Sequence, residues 1–485
     1  MKSTENRAIL IADLGYGDAG KGSVVDYLTR ATHAHAVIRY NGGAQAAHNV
    51  ITPDGRHHTF SQFGSGTFIP GTRTHLSRFM MVHPLAMLAE ERHLASLGVY
   101  GAFARMSIDR RALVTTPFQQ AANRIKEMAR GDARHGSCGM GVGETMSDWL
   151  AHGEAVPFAG DLGNHPVAVK KLKQMRDIKL SQLEAILKDA ATHNEAIAGE
   201  LNCFDDPSFI EATADVYNYF ARQVNIVDAD YLGRLLNQPR VTIFEGAQGV
   251  LLDEWYGFFP YNSWSTLTFK NADLLLAENN FTGEALKLGL TRGYFTRHGA
   301  GPFVTEDSQL TSRVQDYHNG DNPWQREFRV GYLDFLALRY SLNVAGKMDG
   351  LVVTNLDRMV DLDEWRTCNR YQWPGKPLGL ENYFDFDGGQ IKDIKVPADP
   401  TDLVKQEGLT RSLFKLRPDY DNCEKDVNAY VEWISQTLGL PVALTSFGPT
   451  AQEKEPYRIL LEFAGEKMTQ VRPGSSACFQ ARIPV

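Results

Sequence analysis

The stretch IADLGYGDAGKGSVVDYLTR, residues 11–30, constrains the chain more than any other. An apolar run ends in glycine, a glycine-rich loop follows, and the chain then turns to helical spacing, which reads as strand, loop, helix. Residues 15–21 match the phosphate-loop spacing G-x-x-x-x-G-K. Gly15, Gly17 and Gly20 let backbone amides converge on phosphate oxygens, and the helix amino terminus adds partial positive charge beside Lys21. The bland alternative is a tight strand-to-helix turn with a surface lysine. Two positions are unusual for a phosphate loop. Gly22 stands where Ser or Thr normally holds Mg²⁺, and Asp18 brings a carboxylate into the loop. An acid among phosphates is repulsive unless a metal lies between them or its task is to take a proton.

The strand-then-glycine theme returns in AHAVIRYNGG, VTIFEGAQGVLLDEW, KLGLTRGYFTRHGAGPF, DGLVVTNLDR and LPVALTSFGPT. Residues 167–200 and DVYNYFARQVNIVDADYLGRLLNQ have helical spacing between these runs. The pattern predicts an α/β fold with a large, mostly parallel central sheet flanked by helices. No internal repeat or low-complexity linker divides the 485 residues, so one large domain with helical and loop-rich insertions is expected. The region around 365–421, rich in Pro, Gly, Asp and aromatics, reads as loops with short strands. A net charge of −8 gives no bulk attraction to nucleic acid or anionic membrane. Five scattered cysteines without a C-x-x-C pair argue against a disulfide framework or zinc site and for a reducing compartment. With no signal-peptide pattern and no long apolar run, a soluble cytoplasmic location is the expectation.

In RYNGGAQAAHNV, residues 39–50, two glycines and small residues lead to His48, describing a backbone that lies close to something. Taken with GDAGKGSVVD, this stretch is similar to the loops G-D-E-G-K-G-K-x-V-D and R-x-x-G-G-x-N-A-G-H-T of the adenylosuccinate synthetase family. FEGAQGVLLD, FFPYNSWST, TRHGAGPFVTE, GYLDFLALRYS, VVTNLDRM and SFGPT follow in the family's order, so the resemblance runs from about residue 8 to 450. That family joins aspartate to C6 of IMP, driven by GTP. The resemblance implies a P-loop-like, GTPase-related fold with Asp18 as the base that takes the N1 proton. The same carboxylate, with the Ala47 carbonyl, holds Mg²⁺. His48 matches the histidine that donates to the charge developing on the phosphoryl group, and Lys21 and the loop amides position the phosphates.

By the same resemblance the purine monophosphate lies among Gln45, Ser137, Cys138, Gln248 and Ser263, and Gly15, Gly17, Gly20, Lys21 and Gly22 hold the GTP phosphates. Asp357 accepts from guanine, with Asn355, Ser446 and Gly448 near the base; Asn355 replaces a family lysine. A homodimer is also implied, with no nucleic-acid or membrane partner. The family's amino-acid loop G-A-T-T-G-R-x-R-R-x-G-W-L-D becomes NPWQREFRVGYLD. Arg326 and Arg329 fall on its first and last arginines, whereas Pro323 and Trp324 replace threonines and Phe328 the middle arginine. His152 stands where an arginine reaches the substrate phosphate across the dimer. Residues 365–418 and the tail from 451 to 485 are extra, and are expected to be surface elaborations. A working ligase with drifted substrates is the favoured reading. Its rivals are a paralogue with a changed amine, a dGMP-like purine or an ATP donor, a non-catalytic nucleotide-binding protein, and a generic P-loop kinase.

Overall fold

A computed structural model describes residues 6–131, 134–188, 195–314, 324, 327–375 and 379–465. Ten strands among them form the central sheet: β1 (Arg7–Asp13), β2 (Ala36–Arg39), β3 (Arg73–Leu76), β4 (Met106–Asp109), β5 (Asn225–Val227), β6 (Val241–Glu245), β7 (Glu284–Arg292), β8 (Gly350–Thr354), β9 (Val442–Ser446) and β10 (Lys454–Pro456). Their spatial order is β10-β9-β8-β7-β1-β6-β2-β3-β4-β5, every pairing parallel except that of β10 with β9. Continuous apolar runs suit strands buried on both faces, and Ala8, Ile9, Leu10 and Ile11 of β1 are each 0% exposed. The first helix, α1 (Lys21–Thr32), leaves the phosphate loop and packs Val24, Val25 and Leu28 on the sheet.

The loops that carry the quoted motifs all leave the carboxyl ends of parallel strands. Those after β1, β2, β6, β7, β8 and β9 therefore meet over one edge of the sheet, where an open α/β sheet forms its binding crevice. Among the described residues no helix is long and apolar enough to cross a membrane.

The expectation for 365–418 needs correcting. Trp365–Gln372, Phe384–Asp387, Gln390–Ile394 and Arg417–Cys423 join Leu333–Asp334 in a second sheet, and Leu403–Leu413 is helical. Trp365, Cys368, Tyr371, Phe384, Ile391 and Leu409 are buried in the same core as the face of the central sheet that carries Leu10 and Phe244. The segment is therefore part of the packed interior, not a surface elaboration. After 451, β10 and the helix Arg458–Ala464 close the sheet edge; residues 466–485 lie outside the described residues.

Candidate active site

The phosphate loop is built round Asp13 at the tip of β1. Its Oδ1 accepts from the Gly15 amide at 2.9 Å, and its Oδ2 accepts from the Ala19 amide at 2.9 Å and from Lys21 Nζ at 2.8 Å. Asp18, between these anchors, takes a left-handed φ of 62°, a conformation that costs a non-glycine residue energy and that recurs at active sites. The structure also explains the missing hydroxyl. A side chain at position 22 would bring its Cβ to 2.6 Å from the Asn49 carbonyl oxygen and 2.9 Å from the His48 carbonyl carbon. The first turn of α1 is pressed against the backbone of the His48 loop, and only glycine fits.

One cavity of about 1130 Å³ opens over these loops. It exceeds the usual span of a single-ligand pocket, and so has room for more than one substrate. Gly17, Asp18, Gly20, Lys21, Gly22, Gln45, Ala47, His48, Ser137, Cys138, Gln248, Ser263, Asn355, Asp357, Ser446 and Gly448 all line it. Gly15 lies beneath the wall. Its carbonyl accepts from the Leu251 amide, and the glycine that ends EGAQG, Gly249, would place a Cβ 2.2 Å from that oxygen. The EGAQG turn and the phosphate loop are thus one packed unit.

His48 is 6% exposed, and its Nδ1 lies 2.6 Å from Glu245 Oε1 at the end of β6. Glu245 is 0% exposed and also accepts from the Ser65 amide at 2.9 Å and from the Ser65 hydroxyl. Burial lowers the His48 imidazole to about 4 despite this partner, whereas Arg39 and His48 hold the Glu245 carboxyl below its ordinary range against burial. The resting pair is therefore a neutral imidazole donating Nδ1–H to a carboxylate. Its Nε2 is buried without a hydrogen-bond partner and lies on the cavity wall. An anion arriving there finds an imidazole that can be protonated on Nε2 with its counter-charge already in place.

Across the cavity, Ser263 Oγ donates to Gln248 Oε1 at 2.9 Å and Gln45 Nε2 donates to the same oxygen at 3.4 Å. Gln248 has a φ of 57°. Ser137 exchanges hydrogen bonds with Asn123 at 2.9 and 3.2 Å. Burial pushes the Cys138 thiol up to about 11, so a small neutral group, not a thiolate, stands at this point of the cavity wall.

At the far end Asp357 has its carboxyl raised by burial, and Arg358 Nε sits 3.6 Å from it. Lys454 is 1% exposed and donates to the Gly448 carbonyl at 2.6 Å and the Thr450 carbonyl at 3.0 Å, fixing the loop after β9. Burial lowers its ammonium to about 8.

The NPWQREFRVGYLD segment is less gathered. Arg326 and Pro323 lie outside the described residues. Arg329 is off the cavity wall; it donates to the Gly299 and Gly301 carbonyls at 2.6 and 3.1 Å and pairs with Glu306 at 2.6 Å. Its donors brace the turn after His298. A Cβ at Gly139 would come within 2.9 Å of the Trp324 ring, so Trp324 lies on the glycine loop beside Cys138, with the Arg124 guanidinium 5.1 Å from its centroid. Phe328 lies across the strand pair from His298, their rings 4.8 Å apart, and His298 Nε2 is 3.4 Å from Asp18 Oδ2. His152 is exposed and does not line the cavity, although Leu150 of the same helix does.

Four residues went unremarked in the sequence. Asp13, Glu245, Arg292 and His298 sit at strand ends inside stretches that were recognised, but single polar residues there carry no periodic signal. The Arg292 Nε donates to the Asp18 carbonyl at 2.6 Å. An acid at the end of an otherwise apolar strand, as in LIAD and TIFE, is the one cue that marked Asp13 and Glu245.

Comparison with known proteins gives a consistent picture. The family model described as adenylosuccinate synthetase matches residues 10–454. The adenylosuccinate synthetase of Chlorobium chlorochromatii is 30% identical over 92% of this chain and 96% of its own length. That of Syntrophotalea carbinolica is 29% identical over 93% and 99%. Among solved structures, fully ligated adenylosuccinate synthetase from Plasmodium falciparum superposes with a TM-score of 0.73 at 19% identity, covering 93% of this chain and 99% of that one. The cyanophage S-2L succinoaminodeoxyadenylate synthetase PurZ, bound to dGMP and to dATP as an energy donor, gives a TM-score of 0.56 at 15% identity, covering 93% and 95%.

Proposed function

Since the chain belongs to the adenylosuccinate synthetase family, we propose that it is a carbon–nitrogen ligase that phosphorylates O6 of IMP with GTP and then displaces the phosphate with the amine of L-aspartate. The single observation that carries this reading is that Asp18, Lys21 and His48 share one cavity wall with the hydrogen-bonded Gln45, Gln248 and Ser263. In the first step Asp18 takes the N1 proton and O6 attacks the γ-phosphorus. The bond from that phosphorus to its bridging oxygen breaks, and GDP leaves. His48, backed by Glu245, meets the charge on the phosphoryl oxygens. In the second step the amine attacks C6 and gives up one proton, the C6–O6 bond breaks, and inorganic phosphate departs, carrying that proton at neutral pH as hydrogen phosphate. Positioning and charge neutralisation supply the catalysis in such transfers.

Among the described residues no group of three or more His, Cys, Asp or Glu side chains is arranged to hold a metal. One carboxylate, Asp18, with the Ala47 carbonyl and phosphate oxygens is the sparse, all-oxygen donor set that suits Mg²⁺. When bound, the ion neutralises phosphate charge. Asp357 supports guanine in the donor, because its carboxylate can accept from N1–H and the exocyclic amine together. The small-molecule partners are then GTP, a purine monophosphate and an amino acid, acting in a homodimer in the cytoplasm.

A second reading is favoured by Trp324 on the Gly139 loop and Phe328 beside His298: a paralogue with a changed amine, purine or donor. The cyanophage synthetase shows that this fold accommodates dGMP and dATP. The test is phosphate release with Mg²⁺, GTP or ATP, and IMP, GMP or dGMP, with and without aspartate. No nucleotide-dependent release in any combination would refute both readings, as a non-catalytic binding protein predicts.

A further inference from the structure

The phosphate loop already encloses an anion, and that anion is its own. Asp13 is 1% exposed and takes two loop amides, those of Gly15 and Ala19, together with the ammonium of Lys21, itself 4% exposed. Converging backbone amides plus one lysine are the donors that such a loop offers to phosphate oxygens. Here part of that set is committed to a side chain. The pair Asp13–Lys21 carries no net charge, and Asp18 adds a carboxylate. Arg292, a cation on the same cavity wall but outside the loop, donates its Nε to the Asp18 carbonyl and its Nη1 to the Tyr294 hydroxyl at 3.2 Å. The loop therefore presents nucleotide phosphates with amides and a helix amino terminus, but with no net cation of its own.

We infer that Asp13 is a positioning residue that holds Lys21 as a neutralised donor and so weakens the loop's grip on the nucleotide, letting the diphosphate product leave. The lysine remains on the cavity wall, placed to donate a hydrogen bond in the transition state, while its charge is offset beneath. A plain anchoring role predicts the opposite sign on mutation. If Asp13 only shaped the loop, removing its charge would loosen the loop and weaken nucleotide binding.

This inference rests on the nucleotide-site reading of the loop, and the experiment separates the two. Mg²⁺–GDP, with Mg²⁺–ADP in parallel, is titrated calorimetrically into wild type, Asp13→Asn and the double variant Asp13→Asn/Lys21→Met, with turnover measured at saturating substrates. Asp13→Asn is expected to bind the diphosphate about tenfold more tightly, ~1.4 kcal/mol, with slower turnover. The double variant, neutral at both positions like the native pair, is expected within about threefold of wild type. Unchanged or weaker diphosphate binding by Asp13→Asn overturns the inference. So does a loss of about tenfold or more in the double variant, which would mean that Lys21 grips phosphate with its full charge. Should Asp13→Asn fail to fold, the double variant alone decides. A wild type that binds neither diphosphate overturns the nucleotide-site reading, and this inference with it.

Discussion

Replacing Glu245 by Gln tests the charge relation at the centre of the site. Glu245 accepts from the Ser65 amide at 2.9 Å, so the carboxamide must keep its oxygen there. Its NH₂ then faces His48 Nδ1, which lies 2.6 Å from the native carboxylate. The imidazole is forced into the tautomer with the proton on Nε2, and the counter-charge that would support an imidazolium is gone. What remains is a neutral donor where a charge-assisted one is proposed. Losing one such stabiliser of transition-state charge costs about 2.7–4 kcal/mol, roughly 10²–10³-fold in kcat.

The same change leaves Arg39, 0% exposed, without the carboxylate that balances it; its guanidinium donates to the Phe63 carbonyl at 3.0 Å. A stability loss of about 3 kcal/mol or more follows from exposing one partner of a buried charge arrangement. The assay is phosphate release well below the variant's melting temperature, with Glu245→Asp as the charge-retaining control. KM for both nucleotides should stay within about threefold. A folded Glu245→Gln enzyme with kcat within about threefold of wild type would refute the reasoning.

Acid should destabilise the fold through buried imidazoles. His48, His75 and His83 are 6%, 0% and 4% exposed, and burial lowers each from 6.5 to about 4. Because the folded value lies below the unfolded one, the unfolded chain binds the extra protons. The stability is complete above about pH 6.5 and is lost as pH falls toward 4, by about 3 kcal/mol per histidine. Urea midpoints across this range measure it, and a midpoint unchanged between pH 7 and 5 would contradict it. Asp357→Asn should raise the KM for GTP about ten- to hundredfold and reduce discrimination against ATP, since hydrogen bonds to a charged group contribute about 1.5–3 kcal/mol; initial rates with both donors decide. Ser263→Ala, which removes the 2.9 Å bond to Gln248, should raise the KM for the purine monophosphate several-fold while leaving that for GTP unchanged.

The layout of the sheet was legible from β1, β2, β6, β7 and β9, short apolar runs each followed within a few residues by glycine; β3, β4, β5 and β8 carry no such mark. Gly22 and Gly249 owe their identity to packing between segments distant in sequence or folded against each other. Both were quoted within motifs, but only the packing of Asn49 and Gly15 against them explains why no side chain is admitted. Residues 365–418 conceal their packing for a different reason. Their alternation is broken by turns and by a register shift between Cys368 and Arg370, so the aromatic content read as loop while Trp365, Tyr371 and Phe384 were filling a core. Glu245 and His298 act through partners distant in sequence. The Glu245–His48 pair spans 197 positions, a separation that spacing rules do not sense.

The central claim is tested most directly by incubating purified protein with Mg²⁺, GTP, IMP and aspartate and following phosphate release together with the mass of any nucleotide adduct. Phosphate release that requires both IMP and aspartate, with an adduct of adenylosuccinate mass, is the predicted result. Silence with aspartate but turnover with another amine or with dGMP would contradict the aspartate–IMP assignment and make Trp324 and Phe328 the marks of a changed specificity.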